Sequence, residues 1–240
     1  LLHNSVLTHV LAWDAPKELA LAANVIYNGV WDPSIIVRGE SIKNAMLRIV
    51  LLHPIYAVLS DLSLLWEFKT VAPILFSLAP VAFYKSYQTV VSRRDAFIAA
   101  LLPMSFFSFF TVLSWNSRTS DALLFLSLIS LTVVDRNLTR PQRRLLTWCF
   151  LFGLVVSHYG TSYIVLAAIG LVLLGDWILF GPEQTGRFAH TSTLVVLLFG
   201  LMVFLWCVFI VYRVGAFSRL VDFSYGFFSG FLRDFYGESN

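Results

Sequence analysis

The sequence predicts an all-α protein, a polytopic transmembrane helix bundle flanked by juxtamembrane amphipathic helices. Three observations lead there. Hydrophobic residues make up 58% and charged residues 13% of the 240, with a mean hydropathy of +0.77, too apolar for a soluble domain of this size. Apolar runs recur at Thr70–Tyr84, Ala96–Ser114, Asp121–Val134, Leu145–Ser157, Thr161–Phe180 and Thr191–Tyr212. The third and fourth are short against the roughly 20 residues that a bilayer core requires. Shorter stretches with helical periodicity and charged edges flank these runs.

The first such stretch opens at Trp13-Asp14-Ala15-Pro16-Lys17-Glu18. Asp14 suits a helix N-cap, Pro16 costs little in a first turn, and Glu18 stands one turn further on the same face. Leu19, Ala22, Ala23, Ile26, Tyr27 and Val30 then form an apolar stripe. Gly29 suits the C-cap, and Pro33 keeps Asp32 out of a helix. Asn44–Leu59 looks apolar but carries Arg48 and His53-Pro54. A charge at mid-bilayer costs about 2.5–3.5 kcal/mol on insertion scales, so this segment reads as a juxtamembrane helix that lies on the outer surface or dips in and returns. Beyond the last span, Leu220, Val221, Ser224, Phe227, Phe228, Phe231 and Phe235 recur at helical spacing between Arg219 and Arg233, as an interfacial helix would.

Loop charge sets the expected orientation. Lys85, Arg93 and Arg94, then Arg136, Arg140, Arg143 and Arg144, then Arg187, fall on one face, and the short loops of the other face hold only Arg118. The positive-inside rule makes the first face cytoplasmic and puts Asp14, Asp121 and His158 outside. The chain then divides into an external loop with juxtamembrane helices (1–69), a bundle of about six spans (70–214) and an interfacial helix (215–240). It begins without methionine or a charged leader, which reads as a fragment of a longer chain lacking at least one upstream helix. A net charge of +3 gives no reason to expect nucleic acid, and Cys149 and Cys207 lie within apolar runs with no metal-ligand spacing. Asn137-Leu138-Thr139 matches a glycosylation acceptor but falls on the cytoplasmic side.

An external loop with an early acidic residue, amphipathic juxtamembrane helices and then a bundle of spans resembles the GT-C superfamily of membrane glycosyltransferases, which use polyprenyl-phosphate-linked sugars. More closely, Trp13-Asp14 with Glu18, Trp31-Asp32-Pro33-Ser34, the run from Asn44 through His53-Pro54-Ile55-Tyr56, Phe68-Lys69 with Pro73 to Leu78, and Ser157-His158-Tyr159-Gly160-Thr161-Ser162-Tyr163 are similar to an archaeal polytopic membrane family, itself a domain of unknown function. Pro16 and Leu19 stand where that family has His and Tyr.

The resemblance implies that Asp14 activates the acceptor as a general base or through a divalent cation, Mg or Mn. Glu18 or Asp121 would assist, and Asp14 with Asp121 would hold the metal, since hard cations take carboxylate oxygens. Read from the residues alone, Asp14 caps a helix, Glu18 is solvated, and Asp121 pairs with Arg118. Arg118, His158 and Tyr159 are candidate ligands of sugar or phosphate, with Gly160-Thr161 making a turn beside them. Arg213 and Arg219 could grip the lipid phosphate with their planar forks or snorkel to headgroups. The expected partners are membrane lipid and a lipid-linked sugar donor, with the active face extracytoplasmic. A flippase for a lipid-linked glycan is the alternative, and a structural subunit a third. Transport would call for ionisable residues deep within spans and paired broken helices.

Overall fold

The computed structural model describes residues 14–35, 42–107, 109, 117–184, 188–211, 225–226 and 229. All regular structure among them is helical: α1 (Ala15–Asn28), a 3₁₀ turn (Ile42–Ala45), a π-helical turn (Arg48–Leu52), α2 (His53–Ser60), α3 (Leu64–Phe76), α4 (Leu78–Tyr87), α5 (Arg93–Leu101), a 3₁₀ turn (Pro103–Ser105), α6 (Ser117–Val134), α7 (Arg140–Ser157), α8 (Tyr159–Gln184), α9 (Phe188–Trp206) and a second π-helical turn (Cys207–Val211). Arg213, Arg219 and the expected helix at 217–235 lie outside the described residues.

Helix α6 is the centre, packing against α7 on one side and against α3 and α4 on the other, while α9 packs on both α7 and α8. Ala122, Leu151, Leu154, Val155, Phe199 and Val203 form the core between α6, α7 and α9. Gly153 lets α6 and α7 approach closely, because a Cβ there would stand 2.6 Å from the Phe125 ring. A second cluster of Leu21, Met46, Ile49 and Val50, with Trp31 and Tyr159 against it, joins α1 to the π-helical turn and to the start of α8.

Among the described residues, two helices are long and apolar enough to cross a membrane, Leu64–Tyr87 with mean hydropathy 1.4 and Tyr159–Leu179 with 2.1. At 1.5 Å per residue, the 24 residues of the first reach about 36 Å, against about 30 Å for a bilayer core. The first begins earlier than the Thr70 that the charges imply. Glu67 and Lys69 are admitted because both are buried, Glu67 against His53 and Lys69 over the Trp66 ring. The expected run at Ala96–Ser114 is not one helix, since α5 stops at Leu101 and a 3₁₀ turn begins at Pro103, where proline removes a donor and clashes with the preceding turn.

Helix α1 ends as its sequence requires: Gly29 adopts φ +67° and donates its N–H to the Val25 carbonyl at 2.8 Å, a conformation that glycine alone takes at no steric cost. Its start falls where the sequence puts it, with Asp14 in the N-cap position and Pro16 in the first turn; what differs is the capping bond and the burial of Glu18. Asp14 has helical backbone angles and makes no side-chain capping bond. The face turned inward carries Ala15, Glu18, Leu21 and Ala22. The apolar stripe is turned outward over most of its length, with Ile26, Tyr27 and Val30 exposed and Ala22 buried. Glu18 can face inward because it meets a cation there.

The segment 44–59 is not a surface helix either. Asn44, Ala45, Met46, Arg48, Ile49, Val50, His53, Pro54 and Ala57 are buried, and the π-helical turn packs against α1, α6 and α7. Pro54 cannot donate to the Val50 carbonyl, and the chain widens by one residue so that the His53 N–H bonds the Arg48 carbonyl. Asn44 fastens the preceding loop, donating Nδ2 to the carbonyls of Asp32 at 2.7 Å and Ile35 at 3.0 Å. Trp31 Nε1 returns a bond to the Asn44 carbonyl at 3.0 Å.

Candidate functional site

Four charged side chains meet where α1, the first 3₁₀ turn and the start of α6 come together. Lys43 Nζ donates to Asp14 Oδ1 at 2.7 Å, and the Arg118 Nη2 donates to Asp14 Oδ2. The Arg118 Nε also lies 3.4 Å from Glu18 Oε1, so one guanidinium ties both carboxylates of α1 to α6. The Asp14 side chain is 33% exposed, that of Arg118 14% and that of Glu18 0%. The cluster thus opens outward at Asp14 and closes inward at Glu18. Burial would raise the Asp14 pKa, but the Lys43 hydrogen bond and the charges of Arg118, Lys43 and Lys17 outweigh it and hold the carboxyl below its usual value. Asp14 is ionised at neutral pH.

Asp121 does not pair with Arg118. Its partner is Arg48, in an ion pair whose side chains are 1% and 4% exposed. The Arg48 guanidinium also stands 5.4 Å from the centroid of the Tyr56 ring, a cation–π placement. Asp121 is the fifth residue of α6, beyond its first turn. Arg48 is therefore what lets the π-helical turn sit within the bundle: its charge is met by Asp121 and by an aromatic face. Burial lowers its pKa, partly offset by the charges of Glu67, Tyr56 and Glu18.

His158 separates α7 from α8 with an extended backbone, φ −154° and ψ 97°. Its Nδ1 accepts the Thr161 N–H at 3.1 Å and meets Thr161 Oγ1 at 2.7 Å, so the ring caps α8 and its own proton belongs on Nε2. Gly160 and Thr161 form no turn of their own; they lie in the first turn of α8. The Tyr159 ring stacks on His158 at 6.0 Å and meets Tyr163 edge-on at 6.0 Å. Burial, and then the nearby charge of Arg118, push the His158 pKa down to about 4. His158 and Tyr159 therefore stand at the same end of the molecule as Asp14, Arg118 and Asp121.

That depression fixes a pH dependence. Between about pH 6.5 and about pH 4 the unfolded chain binds a proton at His158 that the folded chain refuses, so stability is complete above that window and falls within it. The expected loss is about 1–3 kcal/mol after allowance for solvent screening. Thermal unfolding of His158→Asn, which keeps a capping acceptor, should show a smaller drop between pH 7 and pH 4 than the parent; an equal drop would assign the effect to another group.

Sequence reasoning missed Lys43, Arg48, His53 and Glu67, all buried. Among the described residues, no three His, Cys, Asp or Glu side chains gather in a group that could hold a metal ion. Each carboxylate expected to bind one is engaged by a cationic side chain, Asp14 by Lys43 and Arg118 and Asp121 by Arg48. A divalent cation would have to displace those partners, so this donor set does not fit one. No protein-family model, curated protein or solved structure matches the chain.

Proposed function

We propose that this chain is the membrane-integral core of a GT-C-like glycosyltransferase, moving a sugar from a polyprenyl-phosphate donor to an acceptor on the extracytoplasmic face. The observation that carries the reading is Asp14, a partly exposed, ionised carboxylate released from capping duty and aimed by Lys43 and Arg118. Supporting the membrane setting are Leu64–Tyr87 and Tyr159–Leu179, together with a wholly apolar exposed row on α8 including Ile164, Leu171, Val172, Ile178 and Leu179. Soluble proteins rarely leave so large an apolar surface uncovered. The outward stripe of α1 then rests on the lipid surface, and its polar face turns to the bundle.

Asp14 accepts a hydrogen bond from the acceptor hydroxyl and orients it. The acceptor oxygen forms a bond to the anomeric carbon as the bond from that carbon to the phosphate oxygen breaks. The polyprenyl phosphate leaves with the electron pair, and the acceptor proton passes to Asp14. A carboxylate stabilised by two cations is a weak base, so proton transfer comes late, as the leaving group takes up charge. Arg118, bound to Asp14 and partly exposed, would meet that phosphate. Reconstitution in vesicles with a polyprenyl-phosphate sugar tests the reading: transfer to acceptor must appear and depend on Asp14. Movement of intact donor across the bilayer without its consumption would favour the flippase instead.

A further inference from the structure

One pair of groups takes no part in that chemistry. His53, at the start of α2, and Glu67, in the first turn of α3, meet at 2.5 Å between Nδ1 and Oε2, both wholly buried. The imidazole lies flat on the Phe68 ring with centroids 3.7 Å apart. Glu67 Oε1 has no hydrogen-bond partner.

We propose that His53 and Glu67 form a buried proton-binding site, in which the pair shares one proton between Nδ1 and Oε2 and holds one further, exchangeable proton, whose release is answered by a shift of Arg48 from Asp121 towards Glu67. Contact this short between a ring nitrogen and a carboxyl oxygen requires a proton between them. Two protonation states supply one. In the first, an imidazole N–H donates to a carboxylate, leaving the pair with a full negative charge and one carboxylate oxygen bare. In the second, the pair holds one more proton and is neutral: the imidazole carries its proton on Nε2, the carboxyl donates from Oε2 to Nδ1, and the bare oxygen is only a carbonyl. An ionised carboxylate with an unmet oxygen in a site closed to water is costly, so the neutral state prevails until a positive charge is at hand.

That charge is Arg48, whose field reaches both His53 and Glu67. It now rests on Asp121. The other charged and titratable groups around the pair are Glu18 of α1, Tyr56 of α2, Lys69 of α3, and Asp121 and Arg118 of α6. Losing the proton would leave Glu67 and Asp121 competing for one guanidinium, so proton occupancy and the pairing of Asp121 are linked. This inference stands apart from the glycosyl-transfer reading and holds for any function of the chain.

Infrared difference spectroscopy of the full chain in lipid nanodiscs, titrated with alkali, reads the proton directly. A carboxylic-acid carbonyl band should be present at neutral pH, vanish at higher pH, be missing in Glu67→Gln and be displaced in His53→Gln. In Asp121→Asn, where Arg48 is left to Glu67, the midpoint should fall by about one pH unit or more, a tenfold change in proton affinity. A parent protein without the band, or a band that survives in Glu67→Gln, overturns the proton site; a midpoint unchanged in Asp121→Asn overturns the link to Arg48. If a variant does not fold, the parent band alone decides, and its absence overturns the proposal.

Discussion

Asp14→Asn should lower the proposed sugar transfer by about 10²–10⁴-fold per folded molecule, the range for losing a positioned proton acceptor. Asparagine keeps the shape of the side chain and one oxygen acceptor. As an N-cap it would be nearly equivalent, but Asp14 makes no side-chain capping bond, so capping cannot explain any loss. What asparagine removes is the negative charge between Lys43 and Arg118. Lys43 is 6% exposed in its side chain and cannot simply turn to water, so the variant also gives up about 1–2 kcal/mol of stability, in the range for a lost charged hydrogen bond. The two effects separate when the transfer rate is divided by the folded fraction measured in the same sample. A folded Asp14→Asn protein that transfers sugar at the parent rate would leave Asp14 as a structural counter-ion and nothing more.

Arg48→Met has the largest expected effect on stability, about 3–5 kcal/mol, because it strands a buried carboxylate. Asp121 is 4% exposed in its side chain, with no water to replace the guanidinium. Methionine fills much of the same volume, so the loss reports charge more than a cavity. The double variant Arg48→Met, Asp121→Leu should recover at least half of the loss, since a buried pair replaced by apolar groups is often neutral. Chemical denaturation in detergent micelles measures all three proteins. Single and double variants that both lie within about 0.5 kcal/mol of the parent would mean that the pair is solvated and does not hold the π-helical turn in place.

The helical class, Gly29 as a C-cap and the shared end of Asp14, Asp121 and His158 were all legible in the sequence, because each rests on local chemistry or on counting loop charges. The ion pairs were not. Arg48 and His53 read as reasons to keep their segment out of the interior, and that inference holds only for a charge with no partner. Their partners are remote in sequence, as with the 104 residues between Asp14 and Arg118, and no periodicity signals such a pairing. For the same reason Glu18 of α1 read as solvated, yet Arg118 makes its face the one that can be buried. Pro103 was visible all along, and it explains why the run at 96–114 does not continue as one helix.

The central claim is that the cluster of Asp14, Arg118, Asp121 and His158 stands at the extracytoplasmic side of a membrane, with α3 and α4 as the span that separates it from the basic loop at 88–94. Cys149 is exposed and is first replaced by serine. Single cysteines are then introduced as Ser63→Cys, just before the span, and Arg94→Cys, just beyond it, and sealed cells are labelled with a membrane-impermeant maleimide. The cysteine at position 63 should react from outside, and the one at 94 only after the membrane is broken. Equal reaction of both in sealed cells would contradict the span and, with it, the placing of the charged cluster on the outer face.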